Sequence, residues 1–436
     1  MTEEKMSVLE SIKSTLLPAL VKQGKFGADQ VKFVDFLRDD KMSASSSYQS
    51  TIFFGDIVTN SKNGDSCARS IVIKTLPEHI FNNQPSGSLE WDYFLQFQNE
   101  LLFYTEVIPL LTECDSDGVI AKLFPKFFHA SIKRNGSSTD NILILENVQK
   151  LGFKLHDSKA LIDYDHIKLT LEWLGKFHAL SLVCKKRFPG RFRDVCAKIS
   201  EAAWTEERIV RNPDAFYVEN CKRGIRPLRE DPAYRDKLGE ITDAIQKADL
   251  MMAKLVAPVE PLAVICLGDF CRNNIFYRCD AEGKPSDTMF FDFGTFRYAS
   301  PVVDMSFFLF MNSSPEIRSL HWDEMLRTYH SALVSNPDID IREAPTLGDV
   351  ILDFRRRGLY GYVHAAFFLP YMLRRENEDE DFDWYSQSGE DLIERSVSIG
   401  GERATGYVVD IVKHMIDKKF DFKFVENIET KFEKKL

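Results

Sequence analysis

Apolar and polar positions alternate along this chain in two distinct rhythms. Residues 6–24 carry Val8, Ile12, Leu16 and Leu20 at every fourth position, the stripe of an amphipathic helix. After a serine-rich turn at Ser43–Ser47 the rhythm changes. Thr51 to Val58 is an apolar run, a polar turn follows at Asn60–Asp65, and Ser70-Ile71-Val72-Ile73-Lys74 is a second run rich in β-branched residues. Together they predict a hairpin. Helical spacing returns over 90–108, with Phe94, Phe97, Leu101, Tyr104 and Ile108 in register and Pro109 expected to end the run. Asn141–Leu145 reads as a short apolar strand, and Glu146–Gly152 as a connector.

Beyond the connector the pattern is mostly helical. Residues 164–183 place Ile167, Leu171, Leu174 and His178 on one helix face, and 185–260 is helical and charged. Residues 262–292 switch back to strands around the turn Ala281–Pro285, and the chain after 304 is again helical. There are no internal repeats and no low-complexity tract. These elements predict an α+β, bilobal architecture. An N-terminal lobe spans 1–145, a hinge 146–152, and a large, mostly helical C-terminal lobe 153–436.

Composition narrows the possibilities. The 436 residues can bury a large core, and 44% apolar with 28% charged residues is ordinary for a globular protein. The aromatic content is high, with 34 Phe; a Phe-rich core is the plain explanation, and a roomy apolar pocket is the sharper one. A net charge of −10 argues against a nucleic-acid binder or an anionic membrane surface, both of which require basic patches. The eight Cys form no C-x-x-C pair and no zinc spacing, which suits free thiols in a reducing cytosol. The opening residues Met1–Lys5 do not read as a signal peptide, and no apolar run reaches the roughly 18 residues of a membrane span. A cytoplasmic location is therefore expected, with the sequons at Asn135 and Asn312 unused.

The chemistry concentrates between Val264 and Asp304. An apolar strand, Val264–Leu267, runs into Gly268-Asp269, and the pattern D-x-x-x-x-N ends at Asn274. Two β-like runs, Asn274–Tyr277 and Thr288–Phe291, flank a glycine turn and should pair. Such a hairpin brings Asn274 close to Asp292, the first residue of Asp292-Phe293-Gly294. Phosphoryl transfer needs a carboxylate beside the attacking hydroxyl. It also needs an amide oxygen and a second carboxylate to hold Mg²⁺ on the phosphates. Neither short motif means much alone, since Asp269 could cap a turn and Asp292 could end a strand. Their placement at two ends of one hairpin is specific. Lys74 at the end of its strand, and Glu100 on the helix that follows, complete the set as a phosphate-reaching lysine and its partner. A strand-end Lys or a helix Glu is ordinarily a solvated surface charge. His178 on an apolar helix face reads first as a satisfied core histidine, and Asp304 as a brace for the catalytic loop or a helix cap.

These segments resemble the ecdysteroid kinase-like family, which groups with the choline and aminoglycoside kinases. The resemblance is carried by Ile71–Pro77, Phe97–Tyr104, Leu143–Asn147, Phe177–Ser181, Gly268–Asn274, Phe291–Gly294 and Pro301–Asp304. It spans roughly 30–420. It implies that Asp269 accepts or orients the substrate hydroxyl proton and that Asn274 and Asp292 hold Mg²⁺. It implies that Lys74 reaches the α/β-phosphates of ATP, held by Glu100. Ser45, Ser46 and Ser47 would lie over the phosphates, and the backbone from Glu146 to Val148 would hold the adenine edge. The implied acceptor is a small hydroxylated molecule, a steroid such as an ecdysteroid or a foreign alcohol in detoxification. No protein partner is implied.

Two positions depart from the family pattern. Leu267 stands where a His usually precedes Gly-Asp, which could loosen the catalytic loop. The phosphate-covering turn has no glycine, so hydroxyl donors must serve in place of close backbone approach. A degenerate, kinase-like protein that binds nucleotide or a hydrophobic ligand without turnover therefore stands as the alternative. Other classes fit less well. Pro301 and Asp304 follow Asp292 too closely for a protein kinase's activation segment. There is no G-x-x-x-x-G-K-[ST] or G-x-G-x-x-G fingerprint, and the nine His are scattered.

Overall fold

A computed structural model describes residues 3–42, 50–77, 93–133, 136–205, 215–375, 378 and 389–424. Helices α1 (Glu3–Ser11) and α2 (Leu17–Lys22) open the chain, joined by a wide π turn over Ile12–Leu16. The expected stripe faces inward, with Ile12 and Leu20 buried and Val8 and Leu16 packed at the edge of the same cluster.

This helical segment lies on a five-stranded antiparallel sheet of order β1-β2-β3-β5-β4. The strands are β1 (Gln30–Arg38), β2 (Thr51–Ser61), β3 (Ser66–Thr75), β4 (Phe127–Ser131) and β5 (Ile142–Glu146). The predicted hairpin is β2–β3, with Phe53 opposite Ile73 and Ile52 opposite Lys74. Side chains alternate along a strand. Ile71 and Ile73 go into the apolar cluster under α1 and α2, which leaves Lys74 on the other face of β3, toward the rest of the molecule.

The helix after β3 differs from expectation at one point. Helix α3 (Tyr93–Leu102) does not stop at Pro109. A π turn over Phe103–Val107 leads into α4 (Ile108–Thr112), and Pro109 sits in its first turn, where a missing N–H costs no hydrogen bond. The short α5 (Val119–Leu123) precedes β4.

The second lobe begins past a 3-10 turn at Val148–Leu151. It contains β6 (Lys154–Leu155), α6 (Tyr164–Arg187), α7 (Pro189–Cys196), α8 (Ala215–Ile225), α9 (Gly239–Ile245) and α10 (Ala248–Val256). Then come β7 (Val264–Cys266), the hairpin β8 (Ile275–Cys279) and β9 (Pro285–Phe290), and β10 (Arg297–Ala299). Six helices finish it: α11 (Val302–Asn312), α12 (Pro315–Leu333), α13 (Leu347–Arg357), α14 (Leu359–Leu373), α15 (Glu390–Ser398) and α16 (Gly401–Asp417). Helix α11 is buried along its whole length, and it packs on α14 while α12 packs on α6. The result is an α+β molecule of two lobes, a small sheet-rich one and a large helical one. Among the described residues, no helix is long and apolar enough to cross a membrane.

Candidate active site

The two lobes present their polar residues to one cleft. From the sheet side, Lys74 Nζ lies 2.6 Å from Glu100 Oε2 and 3.6 Å from Asp292 Oδ1. Glu100 is buried on α3, and burial raises its carboxyl while Lys74 pulls the other way. Burial acts against the charge of Lys74 as well. Asp292 and Glu100 outweigh it, so the ammonium stays charged, its pKa raised above the ordinary lysine value. Two anions on one half-buried cation make this a charged cluster rather than an isolated surface pair.

Helix α3 is fastened to the far side of the cleft. Asn99 donates from Nδ2 to the carbonyls of Ser200 (2.8 Å) and Gly294 (3.1 Å), and its Oδ1 accepts the Ser200 N–H. Next to it, Phe293 is fully buried and stacks on Phe103 at 4.1 Å, with Phe124 edge-on at 5.4 Å. Aromatic contacts of this kind contribute about 0.5–1.5 kcal/mol each beyond area burial. Asp292 precedes this anchor with φ +61°, a left-handed conformation that Asp tolerates better than most residues. The carboxylate is thereby turned toward Lys74 and the cleft.

The helical lobe supplies Asp269 and Asn274. Strand β7 is followed by Leu267 and Gly268; the φ of Gly268 is +94°, and an added Cβ there would stand 2.1 Å from the Thr295 carbonyl oxygen. Only glycine fits there. Asp269 opens onto the cleft but is confined by protein on its other sides. That confinement, and the charge of Asp292, push its carboxyl up to about 6. Asn274 donates from Nδ2 to the Asp269 carbonyl at 2.8 Å and reaches its carboxylate at 3.3 Å. The β8–β9 hairpin forms with Ile275 opposite Phe290, and the Phe291 N–H donates to the Asn274 carbonyl at 2.9 Å. Asn274 and Asp292 are brought side by side in this way.

Asp304, at the start of α11, is completely buried and accepts the backbone N–H groups of Leu267 (2.7 Å) and Gly268 (2.9 Å). The Leu267 side chain is buried in the core, and the loop is held through its backbone.

The remaining expected residues lie elsewhere. Glu146 ends β5 opposite Ile71, and its N–H donates to the Lys126 carbonyl. Val148 starts the 3-10 turn, its side chain packed with Phe153 and Met289. Ser45, Ser46 and Ser47 lie outside the described residues.

Sequence reasoning passed over Asn99, which the packing singles out, and Arg297. The latter is buried after Phe296 and bonded to Glu201 and to the Tyr360 hydroxyl. A polar residue between Gln98 and Glu100 on an amphipathic helix was the one available signal for Asn99. Met372, near the end of α14, was also unforeseen. Its Sδ is 3.8 Å from Asn273 Nδ2 on the loop that follows Asp269. Phe368, one turn earlier, and Met372 are half-buried, with Phe307 and His364 stacked behind Phe368.

The site can accommodate a divalent cation. Two carboxylates, on Asp269 and Asp292, repel one another across the cleft, and Asn274 has its amide nitrogen committed to Asp269, which leaves its Oδ1 as an oxygen donor. Two other groups of His, Asp and Cys side chains, around Asp163 and Asp304, come close enough for a metal. Both are internally hydrogen-bonded. At the first, His156 Nδ1 accepts the Ser158 N–H, so its Nε2 carries a proton toward Asp163 and is not a free ligand.

Comparison with known proteins places the chain. The sequence profile of the ecdysteroid kinase-like family matches residues 45–338, well over half of the 436. No curated protein matches. Similar solved structures include a microcompartment-associated aminopropanol kinase, at 10% identity, with 87% of this chain and 96% of that one covered and a TM-score of 0.40. A Plasmodium vivax ethanolamine kinase is 12% identical, with 85% and 82% covered and a TM-score of 0.33. A macrolide 2'-phosphotransferase from Brachybacterium faecium is 11% identical, with 84% and 92% covered and a TM-score of 0.36. With its sheet-rich lobe, its paired Lys74 and Glu100 and the facing loop Gly268–Asn274, this chain has the bilobal protein-kinase-like fold and belongs to the ecdysteroid kinase-like family.

Proposed function

We propose that this protein transfers the terminal phosphate of Mg-ATP to a hydroxyl of a hydrophobic alcohol, a steroid of the ecdysteroid kind or a foreign alcohol. The observation that carries the reading is the convergence of Lys74, Glu100 and Asp292 with Asp269 and Asn274 in one cleft, drawn from both lobes. In this reading residues 1–145 and 153–436 are the two lobes and 146–152 the hinge between them.

Each residue then has a defined task. Lys74, kept charged by Glu100, lies against the α/β-phosphates. Asn274 and Asp292 hold Mg²⁺, which when bound offsets the negative charge of the phosphates. The N–H of Val148 is offered to the adenine edge, because helix starts leave their first N–H groups without an intrahelical partner. Ser45, Ser46 and Ser47 are assigned to the phosphates from the sequence. Asp269 accepts the proton of the acceptor hydroxyl as its oxygen bonds to the γ-phosphorus and the bond from that phosphorus to the ADP oxygen breaks. The apolar wall of Phe368 and Met372 beside the catalytic loop favours an acceptor with a large hydrophobic surface. The free state of all eight cysteines fits a reducing cytoplasm.

The test is to incubate purified protein with Mg-ATP and a panel of steroid and plant-derived alcohols, with Asp269→Ala alongside. A product heavier by one phosphate group, absent with the variant, is the expected result. If Mg-ATP leaves the melting temperature unmoved, the nucleotide assignment is wrong, because a ligand of the native state must stabilise it.

A further inference from the structure

At the end of strand β8 remote from Asn274, three side chains line up from a carboxylate to a thiol. Asp163 caps the start of α6: its Oδ1 accepts the His166 N–H at 3.1 Å, and its Oδ2 lies 2.7 Å from His166 Nδ1. Burial raises the Asp163 carboxyl, but the hydrogen bonds from His166 outweigh it and hold it at about 2, so it is ionised. An ionised carboxylate can only accept. Nδ1 therefore carries the ring hydrogen, and Nε2 of the neutral imidazole keeps its lone pair. That Nε2 faces Cys279 Sγ at 3.9 Å, within reach of the thiol hydrogen. The imidazole is confined on its other sides. The rings of His156 and Tyr277 stand edge-on to it at 4.6 and 4.7 Å, and the Tyr277 hydroxyl is bonded to Thr170 at 2.8 Å. Cys279 itself ends β8 and is partly exposed.

We propose that Cys279 is a reactive thiol, a covalent modification site for soft carbon electrophiles of the α,β-unsaturated carbonyl class, with His166 as its base and Asp163 holding that base in the accepting tautomer. The three groups stand in the order nucleophile, base and orienting carboxylate, each within reach of the next. Burial pushes the thiol up, so Cys279 rests as S–H and not as a standing thiolate. Its proton must then leave as the new bond forms. Sγ bonds to the β-carbon of the electrophile, the S–H proton passes to His166 Nε2, and the carbon–carbon double bond becomes single. The proton is returned through water to the α-carbon, which restores the neutral imidazole. Sulfur is polarizable, and that matches it to a conjugated carbon. Cys67 is also partly exposed, but its Sγ faces the Ala68 carbonyl at 4.0 Å, which is no base. Cys279 lies five residues past Asn274 in extended chain, about 17 Å away, so the site is separate from the nucleotide cleft and independent of the phosphotransferase reading.

The test treats the full chain with N-ethylmaleimide at pH 7 and follows the labelling of each cysteine by peptide mass spectrometry, in the native protein and in urea. Dividing each native rate by that of the same residue in the unfolded chain isolates what the fold does. General-base assistance contributes about a hundred- to ten-thousandfold, and partial burial takes back part of it. Cys279 should therefore react about tenfold or more faster than in the unfolded chain, and Cys67 no faster. H166F keeps the ring volume and removes the base. H166Q keeps an N–H donor for Asp163 and is no base either. Each should slow Cys279 about tenfold or more. H156F removes the other histidine bonded to Asp163 and leaves the base in place, so Cys279 should keep its rate. A native Cys279 no faster than the unfolded one overturns the proposal. So does a rate indifferent to both His166 variants, or an equal loss in H156F, which would mark a structural effect. If one His166 variant fails to fold the other decides, and the wild-type acceleration is read without any variant.

Discussion

Replacing Lys74 with Met keeps the aliphatic stem and removes the cation that Glu100 faces at 2.6 Å. The Glu100 side chain is only 4% exposed, so it cannot turn to water for compensation, and Asp292 adds a second negative charge nearby. The variant carboxyl must therefore titrate far above its ordinary value of 4.5. Between the unfolded value and the folded one, the native chain holds a proton that the unfolded chain has released. Stability then falls as pH rises, by about 1.4 kcal/mol per pH unit. Glu100 is raised in the wild type too, so relative to it the loss should grow from pH 5 to pH 7 and reach at most about 3 kcal/mol, the size found when one partner of a buried pair is removed. Urea unfolding followed by tryptophan fluorescence at pH 5, 6 and 7 measures this directly. Adding Glu100→Gln to Lys74→Met should abolish the pH dependence, because no carboxylate is left to bury. A stability gap of the same size at pH 5 and pH 7 would falsify the claim that Lys74 and Glu100 form a coupled, buried pair.

Three further outcomes follow from the same geometry. The kcat/KM for an accepted alcohol should fall at acid pH as Asp269, its carboxyl raised above the ordinary value by confinement, takes up a proton, and a rate with no acid limb at all would remove Asp269 as the base. Gly268→Ala should destabilise the protein by about 1–3 kcal/mol from backbone conformation alone, with the clash against Thr295 adding to it, and denaturant midpoints report the sum. Met372→Ala and Phe368→Ala should raise the KM for a hydrophobic alcohol several-fold and leave the KM for ATP alone; equal changes in both would place these residues outside the acceptor site.

Much of this site could be read before folding because its parts are local. A two-residue rhythm and a glycine turn suffice to predict the 275–290 hairpin, and the hairpin by itself puts Asn274 beside Asp292. Strand alternation likewise separates Ile73 from Lys74. What escaped is what depends on residues distant in sequence. The edge strand β1, Gln30–Arg38, has only Phe36 buried, and its apolar residues Val31, Phe33, Val34, Phe36 and Leu37 do not alternate cleanly with polar ones, so no half-buried strand pattern shows. Strand β4 is short and interrupted by a register shift between Phe127 and His129. Pro109 was misread because a π turn, invisible to a 3.6-residue pattern, resets the helix before it. The Asp304 brace was foreseen as one of two roles for that residue. Its hydrogen-bonded link through His178 to Tyr329 needed three helices in place, and no spacing rule joins them.

The double hold of Asn99 on Ser200 and Gly294 bears on how such a protein would be governed. A helix bolted to the opposite lobe at the residue beside Glu100 has little freedom to swing that glutamate away from its lysine. Signalling kinases that are turned on and off at this helix rely on such swinging. With the helix held in this way, the contact between Lys74 and Glu100 does not wait on a separate event that swings the helix in.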